Sequence, residues 1–252
     1  MKIALCLSGQ PRSIKESFGY IKNNLMIPNN ITDVFIHTWW RPEWKDKTFI
    51  NHHSRPNHNF SGTEIEDIKR LYSPKSLLVE NDLDYHEHVK KEYAENDDYI
   101  SQEKLNIINT YFGYYSTFKV NELKNKYGEE NGIKYDMIVK TRLDICPLKI
   151  LSLQHLDSSK LHVPTVGFGG TEKDLGDLFD VFHVNDIFGV SNKENMDIFC
   201  DVVNNLKEIA KRVPDQAGNG TLGNILAHNN VKVHISWLDR QDINIYRNLK
   251  II

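Results

Sequence analysis

The sequence predicts an α/β fold, a Rossmann-like, mostly parallel sheet flanked by helices and contained in a single domain. Three observations predict it. Apolar runs alternate with segments of helical period over residues 2–80 in the order βαβαβ. Residues 2–8 are continuously apolar, as a strand covered on both faces requires. Residues 135–144 start as an apolar strand and end in charge, the pattern of a parallel strand whose carboxyl end opens on a site.

The elements follow in order. After the first strand, Ser13 and Glu16 have the spacing of a capping box, and Ile14, Phe18, Ile21 and Leu25 recur at helical spacing as a buried stripe. Asp33 to Trp39 reads as the second strand. Residues 40–61 lack a period and read as a loop carrying Trp40, Trp44, His52, His53 and His58. Thr63 and Glu66 cap a helix running through Tyr72, Pro74 ends it, and Lys75 to Glu80 forms the third strand. Residues 82–101 are connecting structure. A long helix follows, with Leu105, Ile108, Phe112, Tyr115, Phe118 and Leu123 on one side, ending near Gly128 to Gly132. In the second half, strands are expected at Lys160 to Pro164, Val181 to Val190 and Lys232 to Leu238. A helix carries Met196, Phe199, Val203, Leu206 and Ile209, another starts at Pro214, and residues 239–252 form a tail in which Ile243 and Tyr246 can dock.

Composition narrows the function classes. The chain has 252 residues, 40% hydrophobic and 26% charged, a balance suited to one substantial core. A net charge of -3 supplies no global positive field for nucleic acid or an anionic membrane, so phosphate recognition must be local. The apolar start resembles a signal peptide only superficially, and no apolar run reaches the roughly 18 residues of a transmembrane helix. Cys6, Cys146 and Cys200 are odd in number and far apart, which suggests reduced thiols and a cytoplasmic setting, with peripheral attachment to a membrane-bound glycan assembly left open.

Two segments carry candidate chemistry. Ser8-Gly9-Gln10-Pro11-Arg12 joins a strand to a helix, where glycine permits close backbone approach and a helix N-terminus beside an arginine suits phosphate. An ordinary turn with a surface arginine reads equally from the same residues; neither the dinucleotide nor the Walker pattern is complete. Lys140 to Asp144 ends a strand, and Asp144 there can hold Mn²⁺ or Mg²⁺ through oxygen while Arg142, on the same face, binds phosphate. The competing reading is an internal ion pair between Arg142 and Asp144.

The order Leu7-Ser8-Gly9-Gln10-Pro11-Arg12, Asp33 to Trp39, Tyr135 to Asp144 and Asn185 to Ser191 resembles a family of GT-A type glycosyltransferases from microbes and large viruses, and the resemblance spans most of the chain. It implies a GT-A-like fold, a nucleotide-sugar donor and a glycan or lipid-linked acceptor. Residues 1–144 would form the nucleotide-binding half and 145–252 the acceptor-binding half. The family's Asp-x-Asp signature is altered here, with Arg142 first and Asp144 second. The resemblance implies that Asp144 keeps the metal, helped by His234 late in the chain, and that Ser8, Gly9, Gln10, Arg12, Tyr115, Ser116 and Arg142 lie beside the nucleotide.

Asp186 is the candidate general base or acceptor-binding acid, with Asp215 its rival; either also reads as a turn or cap residue. His234 also reads as a hydrogen-bonded core histidine. Trp39, Trp40 and Trp44 can stack on sugar rings or anchor loops. The spacing of His52, His53 and His58 matches no zinc signature. A catalytically silent glycan-binding protein of the same fold is the alternative, motivated by Arg142; a nucleotidyltransferase needs a richer triphosphate loop than Gly9 to Arg12.

Overall fold

The computed structural model describes residues 1–49, 58–86, 89, 101–164, 173–174, 186–206, 229, 231–235 and 243–245. In chain order its strands are β1 (Ile3–Gly9), β2 (Asp33–Trp39), β3 (Thr48–Phe49), β4 (His58–Asn59), β5 (Ser76–Glu80), β6 (Met137–Arg142), β7 (Ile145–Pro147), β8 (Leu161–Val163), β9 (Lys173–Asp174), β10 (Phe188–Ser191), β11 (Lys232–Ile235) and β12 (Ile243–Ile245). The helices are α1 (Ile14–Ile21), α2 (Glu64–Tyr72), α3 (Ser101–Asn131) and α4 (Lys193–Cys200).

One eight-stranded sheet organises these elements in the order β5-β2-β1-β6-β10-β8-β11-β9. β5, β2, β1 and β6 run parallel, and β10 is antiparallel to β6 and β8. The expected mostly parallel, Rossmann-like sheet is therefore the one observed. Alternation along the strands divides the core in two. Ala4, Cys6, Phe35 and Ile138 pack toward α3 and α4 with Tyr114, Val120, Met196 and Phe199. Leu5, Leu7, Val34, Ile36, Met137 and Val139 pack on the other face with Ile14, Ile21 and Leu25, and with Ile68 and Tyr72 of α2. All three cysteines are buried and unpaired, and burial pushes the Cys6 thiol up to about 12. Among the described residues, no helix is long and apolar enough to cross a membrane.

Several local expectations are corrected. Ser13 sits at the N-terminus of α1 with φ 50 and makes no side-chain cap bond. The left-handed backbone turns its hydroxyl away from the capping geometry. Thr63 also makes no cap bond to backbone; its hydroxyl donates to Asp67 at 2.7 Å. The carboxylate that receives the entering backbone belongs to Glu64, from Ser61 N at 2.6 Å and Gly62 N at 2.9 Å, whereas Glu66 pairs with Lys69. The Val181 to Val190 strand is observed only as β10, and residues 181–185 lie outside the described residues.

The deepest face of α3 also differs from the expected one. Tyr114, Ser116, Thr117, Val120, Asn121 and Lys124 are buried, while Phe112, Tyr115, Phe118 and Leu123 are only partly covered. A polar face is tolerated there because hydrogen bonds meet most of its groups, which periodicity of apolar residues does not detect. The side chains of Leu105 and Ile108 lie outside the described residues. In the tail, β12 pairs with β7, so Ile243 docks beside Pro147; Tyr246 lies outside the described residues.

Candidate functional site

The carboxyl ends of β5, β2, β1 and β6 form one edge of the sheet, and strand order reverses at β1, with β2 on one side and β6 on the other. In open α/β sheets this reversal leaves a crevice outside the strand ends. Ser8 pairs in register with Arg142, and Gly9 follows with φ 112, a backbone conformation suited to glycine. Gly9 is held on both sides, its N–H donating to Ser116 Oγ at 2.9 Å and its carbonyl accepting from Thr38 Oγ1 at 2.8 Å. Arg12 N closes the turn onto Gln10 O at 2.8 Å and places a half-buried arginine beside the start of α1.

Behind this turn lies a polar chain that is fully buried at His37 and Ser116 and half-buried at Glu80, Tyr85 and Tyr115. His37 Nδ1 lies 2.7 Å from Ser116 Oγ, and His37 Nε2 lies 2.7 Å from Glu80 Oε2. Tyr85 donates to Glu80 Oε1 at 2.6 Å and receives the Tyr115 hydroxyl at 2.9 Å. Burial lowers the His37 pKa and outweighs the opposing pull of Glu80. A neutral imidazole fits: Nδ1 accepts from the Ser116 hydroxyl, and Nε2–H donates to Glu80. Serine, histidine and glutamate in a row suggest a nucleophile, but Ser116 and His37 are both 0% exposed. Their work is to hold the Gly9 turn. Ser116 is one of the residues the sequence sets near the nucleotide, whereas His37 and Glu80 carry no signal beyond one histidine inside an apolar strand beside a strand that ends in glutamate.

On the other side of the reversal, Arg142 donates to Asp144 through Nε to Oδ1 at 2.7 Å and Nη2 to Oδ2 at 2.9 Å. Asp144 is 2% exposed, whereas the Arg142 side chain retains 35% exposure. Burial works against the Arg142 charge, yet Asp144 outweighs it and raises the guanidinium pKa further. Lys140 is buried one turn of the pleat below, and its ammonium donates to the Asp186 carbonyl. Burial lowers the Lys140 pKa, and Asp186 opposes that effect. Asp186 therefore lies at the same edge, half-exposed, within electrostatic reach of Lys140 and Arg142.

The expected metal pair does not assemble. Both oxygens of Asp144 accept from Arg142, and no group of three or more His, Cys, Asp or Glu suited to a metal occurs among the described residues. His234 is in register with His162, His162 with Val190, and Val190 with Val139. Three inter-strand steps of about 4.8 Å put its backbone roughly 14 Å from β6. Asp144 is displaced further along the chain, beyond the end of β6, so the two residues cannot share an ion. A buried carboxylate already gripped by a guanidinium does not fit Mn²⁺ or Mg²⁺.

Trp39 is also corrected as an acceptor-binding residue. It is 3% exposed, packs against Phe112, Tyr115 and Tyr85, and donates its indole N–H to Phe112 O at 3.3 Å, so no ring face is offered to a sugar. Trp44 is buried on Phe60, and Trp40, half-exposed, meets both rings. Asp215, His52 and His53 lie outside the described residues. His58, read as a loop residue, is in β4 instead; burial and then Arg12 lower its pKa, with Glu64, Glu16 and Asp144 opposing. That electrostatic neighbourhood places it near the turn, which no sequence spacing indicated.

The structure thus gathers Ser8, Gly9, Gln10, Arg12, Arg142, Asp144 and Asp186 along one edge, with Tyr115 and Ser116 behind it. No protein-family model and no curated protein matches the sequence. Among solved structures, the chain is similar to the nucleoside-diphosphate-sugar pyrophosphorylase from Vibrio cholerae RC9, with a TM-score of 0.45 and 10% identity over 97% of this chain and 95% of that one. A likeness of that degree decides nothing about the chemistry of the edge.

Proposed function

We propose that this chain is a glycosyltransferase that binds a nucleoside-diphosphate sugar, with UDP-sugars favoured, and transfers the sugar to a hydroxyl of a glycan or lipid-linked acceptor. The observation that carries the reading is the pairing of Ser8 with Arg142 where strand order reverses, one residue before the Gly9 turn. The diphosphate would lie over Gly9 and Gln10, toward Arg12 and the N-terminus of α1, where Ser13 supplies no cap bond. Glu16 in the first turn limits how closely phosphate approaches that end.

Arg142 is suited to the leaving diphosphate. Two of its five guanidinium donors are fixed on Asp144, and three have no partner among the described residues. Pinning the plane of the group reduces the ordering cost of binding phosphate. As the bond from the sugar's anomeric carbon to the diphosphate oxygen breaks, the oxygen gains negative charge, which Arg142 and Arg12 would stabilise. The acceptor oxygen forms the new bond at that carbon, and Asp186 would take its proton in an inverting reaction. Residues from Ile145 onward would contribute the acceptor side. No step is assigned to a divalent cation because the donors around Asp144 do not suit one.

Calorimetric titration with UDP, GDP and CMP, with and without Mn²⁺, tests the donor site. Binding of one nucleotide that is lost in Arg142→Ala supports it, and no binding by any of the three overturns it. The Arg142–Asp144 pair, whose carboxylate is buried, also favours a second reading, a silent glycan-binding protein. Glycan binding without nucleotide binding selects that alternative.

A further inference from the structure

At the opposite edge of the sheet a cavity of about 470 Å³ opens between the C-terminal part of α3, the start of β6 and the N-terminus of α4. Its size is that of a small-molecule pocket. The Lys124 side chain lines it while only 2% exposed. Its Nζ lies 3.6 Å from Asp197 Oδ1 and has no hydrogen-bond partner among the described residues. Asp197 is already served by Asn121 Nδ2 at 2.7 Å, Asn125 Nδ2 at 3.0 Å and the Lys193 ammonium. One carboxylate is therefore shared by two lysines, and the buried ammonium retains donors that a folded chain ordinarily satisfies.

We propose that this cavity is a binding site for a small hydroxylated organic anion of the sugar-phosphate or hydroxy-acid class, its acidic head on Lys124. The remaining walls fit that description. Asn125 lines the cavity and its Oδ1 has no hydrogen-bond partner among the described residues, so it can accept from a ligand hydroxyl. Tyr135, whose own hydroxyl is committed to Asp33 at 2.9 Å, presents its ring, and half-buried Ile133 adds apolar surface for the carbon skeleton. The acids at the margin, Glu129 and Glu194, are exposed and screened by water, and exposed Lys134 and Lys193 offset them. The helix start at Asn192 to Glu194 adds its dipole, while Asn192 caps Asn195 N at 3.0 Å.

Thermal-shift and calorimetric measurements with glucose 6-phosphate, inorganic phosphate and glucose test the site on the full chain. Glucose 6-phosphate is expected to bind at millimolar or lower concentration and more tightly than inorganic phosphate, with glucose showing no effect. Lys124→Met is expected to weaken it by about tenfold or more, the loss of a charge-assisted contact. Ile133→Trp, which fills the cavity from its margin, should abolish binding even if Lys124→Met fails to fold. Arg142→Ala, at the other edge, should leave it unchanged. Absence of binding by the phosphates, equal binding of phosphate and glucose 6-phosphate, or binding retained in Ile133→Trp overturns the proposal.

Discussion

Arg142 and Asp144 are joined at the end of β6 by two parallel hydrogen bonds of 2.7 and 2.9 Å. Residue 144 is thereby an anchor for a cation already in the chain. The carboxylate is buried and the guanidinium partly exposed, so the pair places positive charge at the crevice and fixes its orientation. In the proposed donor site Asp144 would act through Arg142 as a positioning residue.

Nucleotide binding should follow Arg142 and be insensitive to chelators. Arg142→Ala is expected to weaken binding of the preferred nucleotide by about tenfold or more, the usual scale for a charge-assisted contact. Titration in EDTA should give the same affinity as in Mn²⁺. A strict requirement for Mn²⁺ would show that the pair opens to admit a metal.

Asp144→Ala should reduce stability and affinity together. Removing the carboxylate leaves a half-buried guanidinium without its partner, at a cost of about 1–3 kcal/mol. Urea denaturation and nucleotide titration read the two effects. Asp144→Asn, which retains an acceptor oxygen, should lose less of both.

Gly9→Ala should destabilise the chain without a steric clash. A Cβ at residue 9 would meet no atom within 4 Å, but φ is 112 there. The expected loss is about 1–3 kcal/mol from backbone strain, with weakened nucleotide binding as the turn shifts. An unchanged denaturation midpoint would mean that the turn relaxes freely.

Ser116→Ala should cost about 1–3 kcal/mol although it removes a single oxygen. Gly9 N–H and His37 Nδ1 both lose their partner, and His37 is fully buried. Serine restores both, whereas threonine adds a methyl group to a fully buried position.

His37 makes stability depend on mild acid. Its folded pKa lies below the ordinary 6.5 because burial disfavours the cation, so the unfolded chain binds more protons below that pH. The stabilisation is therefore complete above about 6.5 and declines as pH falls toward the folded value. His58 has the same sign. In His37→Gln, urea denaturation between pH 7 and pH 5 should show a shallower loss than in the unmodified chain.

The sequence by itself determined the main strands and helices through Glu80, though not β3 and β4, together with the two-faced core and the edge where charge collects. Those properties depend on local periods: Leu5 and Leu7 reach one face and Ala4 and Cys6 the other because strand side chains alternate. Gly9 and Arg142 were legible for the same reason, since each marks the carboxyl end of a recognisable strand. Only the tertiary structure decided how the polar groups pair. Asp144 was equally suited by type to a metal or to Arg142, and burial with two hydrogen bonds selected the guanidinium. His37 meets Ser116 across 79 residues, and His234 is held three strands from β6. Trp39 is covered by rings from α3. Such pairings depend on sheet order and burial, which act between distant segments and leave no fixed spacing in the chain.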